Sequence, residues 1–234
     1  MKYRAILLFG PPGAGKGTQG KILGQIPNFV HFSSGDAFRS LRVDSPLGRI
    51  FVEYASKGRL VPDEPTVELW HQSVQGLIAN GRFNPEADTL VLDGIPRNPK
   101  QVGIMDELIE VKAILDLFCP VMEKLVVRLQ RRALKENRLD DANVEVIRTR
   151  LETYKRETRA VLECYPDTLI HFIDSTQEPM LVLLDILKIL ARLRKPAVSD
   201  GGTTFFPNQG LPFSSAAAST ATGVTGLRSD ASPE

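Results

Sequence analysis

Four glycines and one lysine stand within Gly10-Pro11-Pro12-Gly13-Ala14-Gly15-Lys16-Gly17-Thr18. Glycines let backbone N–H groups turn inward and approach phosphate oxygens with no Cβ in the way. A helix that starts at such a loop turns its positive end on the same anion, and a lysine in this register reaches the terminal phosphates. The general pattern GxxxxGK[ST] asks for Ser or Thr directly after the lysine. Here Gly17 follows Lys16 and Thr18 comes next, which sets the loop apart from that of GTPases and many motor ATPases. The chemistry on offer is the binding of phosphate chains.

A phosphate loop works only between a strand and a helix, and its flanks supply both. Tyr3–Phe9 is an apolar run ended by Gly and Pro, and Thr18 to Gln25 reads as a helix. Phe29–Phe32, Thr89–Leu92, Ile114–Phe118 and Leu169–Ile173 are further short apolar runs. Continuous rather than alternating apolarity suits strands covered on both faces of a parallel sheet. Among the helical stretches the clearest is Val144 to Val161, where Ile147, Leu151, Tyr154, Thr158 and Val161 recur at steps of four and three. A last helix is expected over Glu178 to Leu193, with Thr176-Gln177-Glu178-Pro179 supplying a cap and a first-turn proline. Strands alternating with helices predict an α/β domain: a doubly wound, five-stranded parallel sheet flanked by helices.

Composition narrows the function classes. Hydrophobic residues make up 42% of the 234 and the net charge is +1. That supplies one real core and argues against a bulk polycation built to bind nucleic acid. The most apolar helix, Met180 to Leu193, is broken by Asp185, Lys188 and Arg192, and the apolar run near the N-terminus is too short for a signal peptide. The expectation is a soluble cytoplasmic protein with no membrane or nucleic-acid partner. Cys119 and Cys164 are far apart with no CxxC spacing, His31, His71 and His171 show no ligand spacing, and Trp70 reads as packing. Composition changes at Lys195-Pro196: residues 196–234 hold 5 Gly, 4 Pro and 11 Ser or Thr. A disordered tail is expected there, with Phe205, Phe206 and Phe213 as its apolar exceptions and its partner, if any, left open.

The form GxPGxGKGT resembles the loop of nucleoside monophosphate kinases, adenylate kinases in particular, and further segments follow in the family's order over most of residues 3–195. Ser33-Ser34-Gly35-Asp36-Ala37-Phe38-Arg39 resembles the start of the family's monophosphate-binding arm, and Gly58-Arg59-Leu60-Val61-Pro62-Asp63 its return. Leu92-Asp93-Gly94-Ile95-Pro96-Arg97 with Gln101 is similar to DGFPRxxxQ. Arg128 and Arg132 resemble the RxxxR that leads into the lid, and Arg138-Leu139-Asp140-Asp141 the lid's exit, before Arg150-Leu151-Glu152-Thr153-Tyr154. The resemblance implies a kinase domain at residues 1–195, with a core at 1–32, 62–130 and 142–195, an arm at 33–61 and a short lid at 131–141.

It also implies roles. ATP would be held by Gly13, Ala14, Gly15, Lys16, Gly17, Thr18, Arg128, Arg132 and Gln177. AMP would meet Ser34, Arg39, Arg59, Leu60, Val61, Gly94, Arg97, Gln101, Arg138 and Arg150. Lys16, Arg97, Arg132, Arg138 and Arg150 would act on the transferred phosphoryl group, and Asp93 would hold Mg²⁺ through water. With only Ala133-Leu134-Lys135-Glu136-Asn137 between the two lid motifs, the chain resembles the short-lid form, for which no lid zinc is expected. Helical spacing bears on the choice of arginines: Arg128 and Arg132 share a face, while Arg131 points about 100° away. Arg131 and Arg148 are therefore assigned to the surface.

Two departures from the family pattern matter. Ser34 stands where adenylate kinases usually carry Thr and pyrimidine monophosphate kinases Ala, while Gln101 favours adenine. One extra residue lies between Asp141 and Arg150. The implied activity is ATP + AMP ⇌ 2 ADP in a monomer. The alternatives are a UMP/CMP-type kinase and, from another class, a P-loop switch protein, against which Gly17 and the lack of an NKxD motif both argue.

Overall fold

The computed structural model describes residues 2–194, apart from 137, 139, 140 and 142. The tail expected over residues 196–234 lies outside the described residues, as do parts of the expected lid.

Five strands form one sheet: β1 Tyr3–Phe9, β2 Phe29–Ser33, β3 Thr89–Asp93, β4 Ile109–Phe118 and β5 Ile170–Asp174. Their order is β2-β3-β1-β4-β5 and every pairing is parallel. Successive side chains of a strand point to opposite faces, so a strand covered on both sides must be apolar at every position. β1 shows this: Ala5, Leu7 and Phe9 enter one core with Trp70, Leu92, Met105 and Val161. Ile6 and Leu8 enter the other with Leu23, Leu115, Ile186 and Leu190.

Eight α-helices are described: α1 Lys16–Leu23, α2 Ser34–Ser40, α3 Pro46–Ala55, α4 Asp63–Ala79, α5 Pro99–Asp106, α6 Met122–Glu136, α7 Val144–Thr153 and α8 Pro179–Arg194. The Ser33 side chain accepts from the Asp36 amide to start α2, and Ser45 caps α3 ahead of Pro46.

Several expected boundaries shift: the first helix runs over Lys16–Leu23 rather than Thr18 to Gln25, and β5 over Ile170–Asp174 rather than Leu169–Ile173. β4 begins at Ile109 rather than Ile114, because its register slips between Ala5 and Ile6 of β1 and the exposed Glu110 and Lys112 interrupt the apolar run. The expected helix from Val144 to Val161 changes form. α7 stops at Thr153, Tyr154–Thr158 makes a wider π-type turn, and Arg159–Cys164 tightens into 3₁₀ geometry. The wide turn lets Tyr154 and Thr158 face the cleft described below while Val161 stays fully buried. At α8, Pro179 does take the first position, directly after Glu178. The Glu178 carbonyl accepts from Leu181 and Val182, and the Thr176 amide is bonded to Asp174.

Candidate active site

Gly10, Gly13 and Gly15 all have positive φ, at 130°, 86° and 97°. The turn they make delivers the chain from the end of β1 to the start of α1, which has no side-chain cap and no acidic residue in its first turn. Leading N–H groups that no side chain caps are the donors a helix start offers to an anion. The Lys16 Nζ donates to the Gly10 carbonyl at 2.7 Å and the Pro11 carbonyl at 3.1 Å. Burial lowers its pKa to about 8. Asp93 opposes that shift, and Arg97, Arg132 and Arg150 add to it.

The loop forms one wall of a cleft of about 630 Å³ at the C-terminal ends of β1, β2 and β3. In open α/β sheets this is where ligands bind. Gly13, Gly15, Lys16, Gly17 and Thr18 line it from the loop, and Ser34, Arg39, Arg59, Leu60 and Val61 from α2 and the return of the arm. Asp93 at the end of β3, and Gly94, Arg97 and Gln101 after it, come next, with Arg132, Arg138 and Arg150 beyond them.

Three expected residues stand outside the lining. Ala14 is buried, and its amide bonds the Pro11 carbonyl at 3.1 Å. Arg128 donates to the Ser175 carbonyl at 2.8 Å. Gln177 donates to the Asp174 carbonyl at 3.1 Å and to the Asp185 carboxylate at 3.2 Å. Arg131 and Arg148 are exposed.

So many cations in a partly buried space need carboxylates to hold them apart, and the sequence reading passed over these. Asp141 has a fully buried side chain between two arginines. Its Oδ2 accepts from Arg132 Nε at 2.7 Å, and its Oδ1 accepts from Arg150. Even beside Asp141, burial lowers the Arg132 pKa. Asp36 lies 2.5 Å from Arg39, 3.6 Å from Lys21 and 3.7 Å from Arg138. Burial alone would raise the Asp36 pKa, but these three cations hold it below the usual carboxylate value. The available signal was position: both aspartates sit inside arginine-bearing motifs.

Around Gly94 the backbone comes close to two side chains. Its carbonyl accepts from the Ser34 hydroxyl at 2.7 Å and from Arg97 Nε at 2.8 Å. At φ +84° a Cβ here would stand 2.6 Å from Ser34 Oγ and 2.8 Å from Arg97 Nη2, so only glycine fits. Gln101 is buried at the cleft floor and bonded through both ends of its amide. Its Nε2 partner, Asp63, was also missed. Phe38 and Phe51 stack with centroids 5.4 Å apart and give the arm side of the cleft an apolar plate.

A Cβ at Gly17 would lie 3.6 Å from Asp93 Oδ2, an ordinary contact distance, which places that carboxylate directly against the loop. An oxygen donor facing the loop, with Thr18 beside it, suits a hard cation carried by a phosphate chain. Among the described residues, no group of three or more His, Cys, Asp or Glu stands together as a metal site.

The family model for adenylate kinase matches residues 8–170. The chain is similar to the adenylate kinase of a Cyanothece strain, 37% identical over 197 residues, covering 81% of this chain and 96% of the relative. It is 34% identical to that of Corynebacterium urealyticum over 189 residues, covering 77% of this chain and 98% of the relative. It is 38% identical to that of Corynebacterium aurimucosum over 176 residues, covering 73% and 88%.

Proposed function

We propose that this chain, which belongs to the adenylate kinase family, transfers the terminal phosphoryl group of ATP to AMP, reversibly, giving two ADP. The observation that carries the reading is one cleft lined on one side by an uncapped phosphate loop and on the other by Arg39, Arg97 and Arg150. Two phosphate-bearing molecules can thus meet end to end.

The acceptor oxygen of a monophosphate is already ionised at neutral pH, so the reaction needs alignment and charge neutralisation rather than a general base. In this reading Gly13, Gly15, Lys16, Gly17 and Thr18 cradle the ATP phosphates, and Arg128 and Gln177, which stand beyond the cleft lining, border its base. Lys16 and Arg132 follow the transferred group, Arg97 and Arg150 clamp the AMP phosphate by forked hydrogen bonds, and Arg39 supports them. Ser34, Arg59, Leu60, Val61, Gly94 and Gln101 enclose the AMP base and ribose. Bound with ATP, Mg²⁺ would neutralise part of the phosphate charge, and Asp93 with Thr18 would hold it through water. Arg132 and Arg138 would move as the short lid at residues 131–141 closes against the arm at 33–61, excluding water as a competing acceptor. Monomeric action belongs to the same proposal. Cytoplasmic action is supported by two unpaired thiols, Cys119 and Cys164.

A coupled assay of ADP formation from ATP and Mg²⁺, run in parallel with AMP, UMP, CMP and GMP, tests the reading. AMP is expected to be the best acceptor. Preference for UMP or CMP, or nucleotide binding without transfer, would overturn it.

A further inference from the structure

Asp63 stands outside the cleft lining, its side chain 14% exposed, yet it grips the one amide in the proposed base pocket. Gln101 is 1% exposed. Its Oε1 accepts from the Arg97 backbone N–H at 2.8 Å, and its Nε2 donates to Asp63 Oδ1 at 2.9 Å. Asp63 is anchored in turn: Asn98 Nδ2 donates to Oδ1 at 2.7 Å, and Lys100 Nζ lies 3.4 Å from Oδ2. Asn98 Oδ1 also accepts from the Gln101 N–H, which fixes the backbone beneath the amide.

An amide turned over by 180° keeps its shape and exchanges its donor for its acceptor. That exchange decides which purine it can read. The edge of adenine offers an amino donor at C6 and an acceptor at N1, whereas a 6-oxopurine offers an acceptor at C6 and a donor at N1. A freely turning amide could pair with either. Gln101 is not free, because a backbone N–H only donates and a carboxylate only accepts. Turning the amide would set donor against donor at Arg97 and acceptor against acceptor at Asp63, leaving both contacts unmade in a buried place.

We propose that Asp63 is a positioning residue for base selectivity: by fixing the Gln101 amide it makes the pocket take a 6-aminopurine monophosphate and refuse a 6-oxopurine one. This rests on the proposed contact between Gln101 and the AMP base.

The test compares AMP with IMP as acceptors for the full chain and for Asp63→Asn and Asp63→Leu. Either substitution leaves one mismatched contact, at Arg97, where the turned amide of the unmodified protein meets two. The ratio of kcat/KM for IMP to that for AMP is therefore expected to rise about tenfold, the size of one buried hydrogen bond. The kcat with AMP should stay within about twofold, the loss falling on KM. A merely structural role would lower both substrates in proportion, and an unchanged ratio overturns the proposal. Gln101→Leu separates the two readings. If its KM for AMP does not move, the underlying base contact fails. If it rises while the Asp63 variants keep the original ratio, only the role of Asp63 falls. Should both Asp63 variants fail to fold, side-chain hydrogen exchange in the unmodified protein decides. One slowly exchanging Gln101 Nε2 proton is expected, and exchange of both at the solvent rate overturns the proposal.

Discussion

Lys16 shows how the site is tuned before any nucleotide arrives. Its amine is folded onto the carbonyls of Gly10 and Pro11, and burial brings its pKa down to about 8. The charged form is the one that binds phosphate, and it is lost as pH rises through that value. For the free enzyme, kcat/KM for ATP should therefore fall above about pH 8. In the complex, phosphate charge favours the protonated amine, so the corresponding fall in kcat should lie at higher pH. The stability effect runs the other way. A lysine whose folded-state pKa lies below its unfolded value opposes folding at neutral pH, and that opposition fades as pH rises from the folded pKa to the unfolded one. Lys16→Met should accordingly raise the melting temperature of the nucleotide-free protein at pH 7 while nearly abolishing transfer. A lower melting temperature at pH 7 would count against the burial of this charge.

At the scale of elements, α1 depends on a close approach to β2. A Cβ at Gly20 would fall on the ring of the half-buried His31, within 2.3 Å of Nε2 and 2.5 Å of Cδ2, and burial lowers the pKa of that ring. Alanine in a helix interior is worth up to about 1 kcal/mol over glycine, whereas overpacking costs about 1–3 kcal/mol. The clash should win. Gly20→Ala is expected to destabilise the protein by roughly 1–2 kcal/mol in urea unfolding, and His31→Ala in the same chain should recover most of that loss. Additivity of the two changes would show that the ring is not the obstacle. The same contrast explains what was legible in sequence. The strands were, because burial on both faces writes an unbroken apolar run, as in Ala5–Phe9 within β1. The phosphate loop was, because its glycines and lysine are local. The start of β4 was not, since Glu110 and Lys112 interrupt the pattern where the register slips. Nor was the wide turn at Tyr154–Thr158, because the three-and-four spacing of apolar residues passes through it unchanged. Asp63 was missed for a different reason: it acts on Gln101, 38 residues away in sequence and brought near only by the fold, whereas Asp36 and Asp141 were marked by their place inside arginine-bearing motifs.

For the molecule as a whole, near-neutrality hides a separation of charge. Asp200, Asp230, Glu234 and Arg228 give residues 196–234 a net of −2, so a chain total of +1 leaves +3 on residues 1–195. The cleft concentrates that excess, with Lys16, Lys21 and six arginines in its lining against Asp36, Asp93 and Glu136. Low-dielectric walls focus such a field and draw in anions, and salt screens it over about 10 Å at 0.1 M. Both substrates are polyanions, so their capture should weaken with ionic strength more than the chemical step does. Raising KCl from about 0.05 to 0.5 M at fixed free Mg²⁺ should lower kcat/KM for ATP and for AMP by roughly five- to tenfold, with kcat nearly constant. Arg131→Gln and Arg148→Gln remove exposed charges that lie outside the lining, and each should leave the salt dependence as it was. Arg39→Gln removes a charge inside the lining and should flatten the salt dependence for AMP. If the outlying arginines flatten it as much as Arg39, the attraction comes from net charge and the cleft field has no special part in capture.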